Sequence, residues 1–324
     1  MIFKIIGQFL FAATILQFMP ADAAFLEFQA GVPDVTYPDR ISAEQAELLT
    51  AVLPQAEDRF TFPVKVDTDS YGIVTTAQSV LVTDVQSGMI LPAKHPDQVR
   101  SIGSVTKLMT VLIFLEQEVD LSQIVRLDPE LDLVEGGRIY LGFHTGISLE
   151  DVLGASIIGS DNSATQALVR FVGLSQEEFV NLMNEKAEQL GMTSTTFTDP
   201  TGIHSSNRST ARDLVLLLEA AQQNEIIHKF SMMSQLNVAQ SNGRVITIEN
   251  TNKLLSSFLN QGDYQILGGK TGFLPEAGYV LATTVQQGEK KIHVIVLGSE
   301  SKETRVKEVK GLASWAFRVF QWPN

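Results

Sequence analysis

"RSIGSVTKLM", residues 100–109, places Ser104 three positions ahead of Lys107 at the start of an apolar run. Leu108, Leu112 and Leu115 recur at helical spacing, so the stretch predicts a helix over 104–118. Positions i and i+3 share a helix face. A serine in the first turn lies at the positive end of the helix dipole, with its own N–H unpaired. A lysine turned to the apolar side loses hydration, which depresses its pKa and equips it to take the serine's proton. The ordinary alternative is a capping serine beside a solvated lysine. The pattern alone does not choose between them, since it recurs as Ser299-Glu300-Ser301-Lys302, which reads as a solvated turn.

Outward from this helix the pattern changes twice. Before it, "AQSVLVTDVQSGMILPAKH" alternates apolar and polar residues around Gln86-Ser87-Gly88 and predicts a β-hairpin. After it, residues 148–230 predict helices over Leu149–Ile158, Ser163–Val172, Gln176–Leu190 and Thr210–Gln222, with Gly173 and Gly191 as stops. From 244 onward "RVITIENTNKLL", "YQILGGKTG", "GYVLATTVQQ" and "KKIHVIVLG" read as strands, and "KETRVKEVKGLASWAFRVFQW" as a final helix. Strands at both ends with helices between them give an α/β fold carrying an all-helical subdomain, about 120–240.

The chain has 324 residues, is 44% hydrophobic and carries a net charge of −13. It can bury a sizeable core, and it lacks the basic face that nucleic acid or anionic lipid requires. Lys4, the apolar stretch Ile5–Met19, Pro20 and Ala21-Asp22-Ala23 predict a secretory signal cut after Ala23, hence an exported, periplasmic or other extracytoplasmic envelope protein. Without cysteine there is no disulfide, thiolate metal site, cysteine nucleophile or lipid attachment through cysteine. Residues 24–75 are proline-bearing and aperiodic, with a short helix conceivable over Ile41–Leu53. They are read as an N-terminal extension of unassigned role, and 76–322 as the functional domain.

Two further constellations carry chemistry. Ser160-Asp161-Asn162 lies between two predicted helices. Its hydroxyl suits a proton relay and its amide can bond both a lysine and a substrate amide, although Ser, Asp and Asn are also ordinary N-caps. A similar run, Ser205-Ser206-Asn207, falls in a loop and is read as a decoy. Lys270-Thr271-Gly272 lies on a predicted strand. A cation there can hold a substrate carboxylate, and the glycine lets a backbone approach closely. The N–H of Phe273 would then be an oxyanion donor beside that of Ser104.

The order Ser-x-x-Lys, Ser-x-Asn, Lys-Thr-Gly resembles that of the low-molecular-mass penicillin-binding proteins, the serine-type D-Ala-D-Ala carboxypeptidases and related endopeptidases. "NEKAEQLGMTSTTFTDPTGIHSSNRSTARDLVLL", "NTNKLL" and "GGKTGFLPEAGYVL" are similar to other stretches of that family. The resemblance implies a β-lactamase/transpeptidase-like fold with an antiparallel sheet. It implies hydrolysis of stem peptides ending in D-Ala-D-Ala through a serine ester, with Ser104 as nucleophile, Lys107 as base and Ser160 as relay. It implies β-lactams as covalent inhibitors and no cofactor or metal, and His95, His144, His204, His228 and His293 show no ligand spacing. Arg305 matches an arginine near the substrate carboxylate. Leu274 departs from the family's usual threonine, and no β-rich domain or C-terminal membrane anchor is seen after the last helix. Three other readings remain: an endopeptidase cutting cross-links, a β-lactamase using "EEFVN" at 177–181, and a non-catalytic envelope-binding protein.

Overall fold

The computed structural model describes residues 61–323, so the expected signal segment and the conceivable helix over 41–53 lie outside the described residues. The first hairpin forms as the alternation predicts, from β1 (Ser79–Asp84) and β2 (Ile90–Lys94). Asp84 closes its turn, accepting from the Ser87 N–H at 2.8 Å and the Ser87 hydroxyl at 2.6 Å. A single 3-10 turn, Gly103–Val105, then leads into α1 (Thr106–Leu115).

Helices α2 (Leu149–Gly154), α3 (Asn162–Val172), α4 (Gln176–Gln189), α5 (Ala211–Gln223) and α6 (Glu225–Met232) follow. Local chemistry fixes their ends. Asp161 caps α3 through the Ala164 N–H at 2.9 Å, and Gly173, at φ +81°, ends it. Ser175 and Glu178 form a capping box on α4. Helix α2 is shorter than its periodicity predicts. At Ala155 it loosens into a π-helical turn, Ala155–Gly159, that finishes at Ser160 in the left-handed region, φ +60°.

A hairpin of β3 (Gln235–Ala239) and β4 (Val245–Glu249) comes next, then β5 (Tyr264–Leu274), β6 (Gly278–Gln287), β7 (Lys290–Ser299) and the long helix α7 (Lys302–Val319). The main sheet is antiparallel throughout, in the order β5-β6-β7-β1-β2. The 244–249 segment is a strand, as its sequence predicts, but it pairs with β3 outside this sheet.

Side chains alternate across the sheet and feed two cores. Leu81, Val280, Ala282 and Ile295 face α1 and the helical insertion. Val80, Leu281, Val294 and Val296 face α7, against Leu312, Ala316 and Phe317. Because both faces are covered, the strands read as near-continuous apolar runs. Helix α1 packs against the insertion helices as well as forming part of the first core, and residues 106–114 are all buried. The leucine stripe read from the sequence marked only part of its apolar surface.

The described part of the N-terminal stretch packs along α7. Val64–Lys65 pairs with Phe320–Gln321, and Trp315 Nε1 donates to Ser70 Oγ at 2.7 Å. Glu308 anchors the same seam, accepting from the Thr76 hydroxyl at 2.8 Å, the Ala77 N–H at 3.2 Å, the Thr76 N–H and the Ser299 hydroxyl. This corrects the reading of 299–302 as a solvated turn. Ser299 is buried at the end of β7, and the exposed Lys302 opens α7. Glu308→Ala leaves buried donors unpaired and should destabilise the fold by about 2–3 kcal/mol; Ser299→Ala should cost about 1 kcal/mol. Urea unfolding of the two variants checks both values and their order.

Candidate active site

The 3-10 turn Gly103–Val105 and helix α1 carry Ser104 and Lys107 into the interior, where three other segments meet them. Lys107 is fully buried. Its Nζ lies 3.1 Å from Ser104 Oγ, 2.5 Å from Asn162 Oδ1 at the start of α3, and 2.5 Å from the Thr201 carbonyl. Loss of hydration pulls its pKa down to about 7, with Arg138 acting the same way; Asp199 and Asp161 oppose it.

The π-helical turn sets Ser160 beside β5. Ser160 Oγ accepts from Lys270 Nζ at 2.9 Å, and the same ammonium donates to the Thr271 carbonyl at 3.1 Å. Lys270 is 1% exposed, and its pKa lies well below the ordinary value because of burial and the cations Lys107, Arg138 and Arg305. Ser160 is thus bonded to Lys270 and not to Lys107. The Lys270 amine reaches the cleft through Ser160, which lines it. Thr271, its neighbour, lines the cleft and donates to Thr251 Oγ1 at 2.7 Å.

β5 runs hard against the Ser104 turn. A Cβ on Gly272 would stand 2.6 Å from the Ile102 carbonyl oxygen and 3.1 Å from Ser104 N, and one on Gly103 would stand 3.2 Å from Phe273 N. The backbone nitrogens of Ser104 and Phe273 both lie at this contact between β5 and the Ser104 turn. A cleft of about 270 Å³ beside it is lined by Ser104, Ser160, Asn162, Thr271 and Phe273.

The cleft walls carry Arg138, Lys302 and Arg305 and, among the described residues, no carboxylate side chain. Arg305, 3% exposed, spends one guanidinium nitrogen on the Gly272 and Val280 carbonyls at 3.1 and 3.0 Å, and burial lowers its pKa to about 10. It braces β5 as well as bordering the cleft. Arg138 and Lys302 were missed in the sequence, where nothing distinguishes them from solvated cations. The decoy Asn207 is a buried brace: its amide holds the 198–199 backbone and Thr106 Oγ1. The glutamates of "EEFVN" are exposed on α4, where Glu178 caps the helix and neither lines the cleft, so they offer no base for a β-lactamase.

Comparison with known proteins gives the family. Residues 66–301 match the family model of D-alanyl-D-alanine carboxypeptidase. A D-alanyl-D-alanine endopeptidase of Pseudomonas aeruginosa is 32% identical over 241 residues, 73% of this chain and 76% of the relative. The D-alanyl-D-alanine carboxypeptidase of Mycobacterium tuberculosis superposes with a TM-score of 0.70 at 26% identity, over 79% of this chain and 96% of that one. A penicillin-binding protein of Listeria monocytogenes, solved with cefotaxime bound, gives 0.66 at 27% identity, over 76% and 100%. By a match that spans most of the described residues and by its fold, the chain belongs to the D-alanyl-D-alanine carboxypeptidase family of serine-type peptidases.

Proposed function

We propose that this enzyme cleaves stem peptides ending in D-Ala-D-Ala through an ester on Ser104, with Lys107 as the base. One observation carries the reading. A neutral amine has two hydrogens and one lone pair. Two of the three partners of Lys107, the Thr201 carbonyl and Asn162 Oδ1, accept only. They take the two hydrogens and leave the lone pair for the third, the Ser104 hydroxyl.

Lys107 takes the proton as Ser104 Oγ attacks the carbonyl between the two D-alanines. The Ser104 and Phe273 N–H groups stabilise the oxyanion. As the C–N bond breaks, the departing nitrogen takes the Ser160 proton, which Lys270 replaces across their 2.9 Å bond. The buried amines hold one proton between them, on Lys270 before acylation and on Lys107 after it. In deacylation, water gives a proton through Ser160 to Lys270 and attacks the ester, while Lys107 returns its proton to Ser104. β-Lactams would be trapped at the ester stage. The cationic cleft suits a substrate with a free carboxylate. The setting is the cell envelope outside the cytoplasm, as the leader-like first residues imply.

A second reading, an endopeptidase cutting cross-linked stem peptides, is favoured by the Pseudomonas relative, which bears that name and is matched over 76% of its length. Incubation with pentapeptide monomers and cross-linked dimers decides: free D-alanine from monomers supports the carboxypeptidase, and cleaved dimers without it the endopeptidase.

Ser104→Ala should abolish labelling by fluorescent penicillin as well as peptide hydrolysis. Lys107→Arg should slow acylation about 10²–10⁴-fold, because a guanidinium cannot act as a base near neutrality. Stopped-flow labelling of each variant checks both. In the parent enzyme, acylation should decline below pH about 7, where Lys107 becomes protonated and its lone pair is lost. A rate that stays level from pH 8 to 5 would contradict the assignment of the base.

A further inference from the structure

A buried carboxylate lies in the turn that touches the Lys107 amine. Asp199, on the loop between α4 and α5, is 3% exposed. One carboxylate oxygen accepts from the Thr201 N–H at 2.8 Å, the Thr201 hydroxyl at 2.7 Å and the Gly202 N–H at 2.7 Å, and the other from the His204 N–H at 3.3 Å. All four donors are neutral, and no described lysine, arginine or histidine forms a salt bridge with it. The bonds fold residues 199–204 so that the Thr201 carbonyl points at Lys107. Gly202 presses on the Gly103 carbonyl, where a Cβ would overlap it, so the same turn backs the Ser104 segment. Asn207 locks the assembly from behind, donating to the Asp199 carbonyl at 2.7 Å and to Thr106 Oγ1 at 3.1 Å.

We propose that Asp199 is a positioning residue for acylation: its carboxylate builds the turn that aims the Thr201 carbonyl at Lys107, and its negative charge keeps that buried amine basic. The inference rests on the reading of Lys107 as base. A buried amine with no countercharge surrenders its proton readily, but it is then a weak acceptor for the proton of a serine. The charged groups around Lys107 come from four segments. Asp199 and Asp161 favour the ammonium, Asp199 more strongly; Arg138 disfavours it, and Lys107 and Lys270 repel each other across the site. Asp161 already serves as the cap of α3 and as acceptor for the Tyr140 and Leu141 N–H groups. Asp199 is the acid whose hydrogen bonds lie in the turn that touches the amine.

Turn and charge can be separated. Asparagine and serine both accept from the N–H two residues on and support such a turn without charge. In the full-length protein, Asp199→Asn and Asp199→Ser should each move the acid limb of penicillin acylation downward by about one pH unit. The rate above that limb should fall only about threefold, as expected of a weaker base. Thermal unfolding identifies which variant retains the fold, and either one suffices. A limb that remains at the parent's pH in a folded variant overturns the role of the charge. So does a folded variant inactive at every pH, since the turn would then account for the whole effect. If the parent itself shows no limb near pH 7, the assignment of Lys107 fails instead, and the two failures are distinguishable.

Discussion

An amine kept out of water is the constraint around which the rest of this structure is arranged. A lysine in the middle of a protein is costly as a free ammonium and becomes affordable when it is neutral or shares its proton. Lys107 meets that condition on a helix buried on all sides, with acceptors delivered by the Ser104 turn, the start of α3 and the 199–202 turn. None of these segments is near the others in sequence apart from the first. The helical insertion is therefore more than a covering for the sheet: α3 and the 199–202 turn bring two of the three partners to the amine.

The sheet order supplies the complementary half. β5 is an edge strand, so it can face the Ser104 turn with backbone rather than with another strand. Edge strands invite unwanted pairing. Here the Ser104 turn lies against β5, while Arg305 ties it down from α7 by bonding the carbonyls of Gly272 and of Val280 on the neighbouring strand. A glycine at 272 is required by the 2.6 Å approach of the Ile102 carbonyl to its absent Cβ. The resulting cleft is positive inside a protein whose net charge is −13. Such a contrast draws anions to a cleft without making the surface generally basic.

Much of this was legible in the sequence because period and motif order are local properties. The strand at 278–287 and the helices starting at 149 and 176 follow directly from spacing and caps. The misreadings share a physical cause, which is that hydrogen-bond partners are not local. Ser299 and Lys302 form a Ser-x-x-Lys sequence as good as that of Ser104 and Lys107, yet a strand ends at one and a helix begins at the other, so they never share a face. Asn207 looked like a loop residue and is a buried brace, because its partners are the backbone of 198–199 and a threonine a hundred positions earlier. The 244–249 segment gave its conformation away but not its partner strand.

Lys270 shows what a motif contains and what it leaves out. A cation after two glycines on a strand invites the idea of a carboxylate receptor. What the motif leaves out is the partner of that cation, a hydroxyl that lines the cleft and belongs to a residue in the left-handed region at the end of a π-helical turn. A turn of that kind adds a residue to the helical circuit and re-aims the side chain after it, and no periodicity announces it. The two lysines thus end up buried together, each depressing the other's affinity for a proton. A single buried lysine would be fixed in one state by its surroundings. Two side by side supply a base on the attacking side and an acid on the departing side in the same turnover, the second refilled by water, as the proposed cycle of serine acylation and hydrolysis demands.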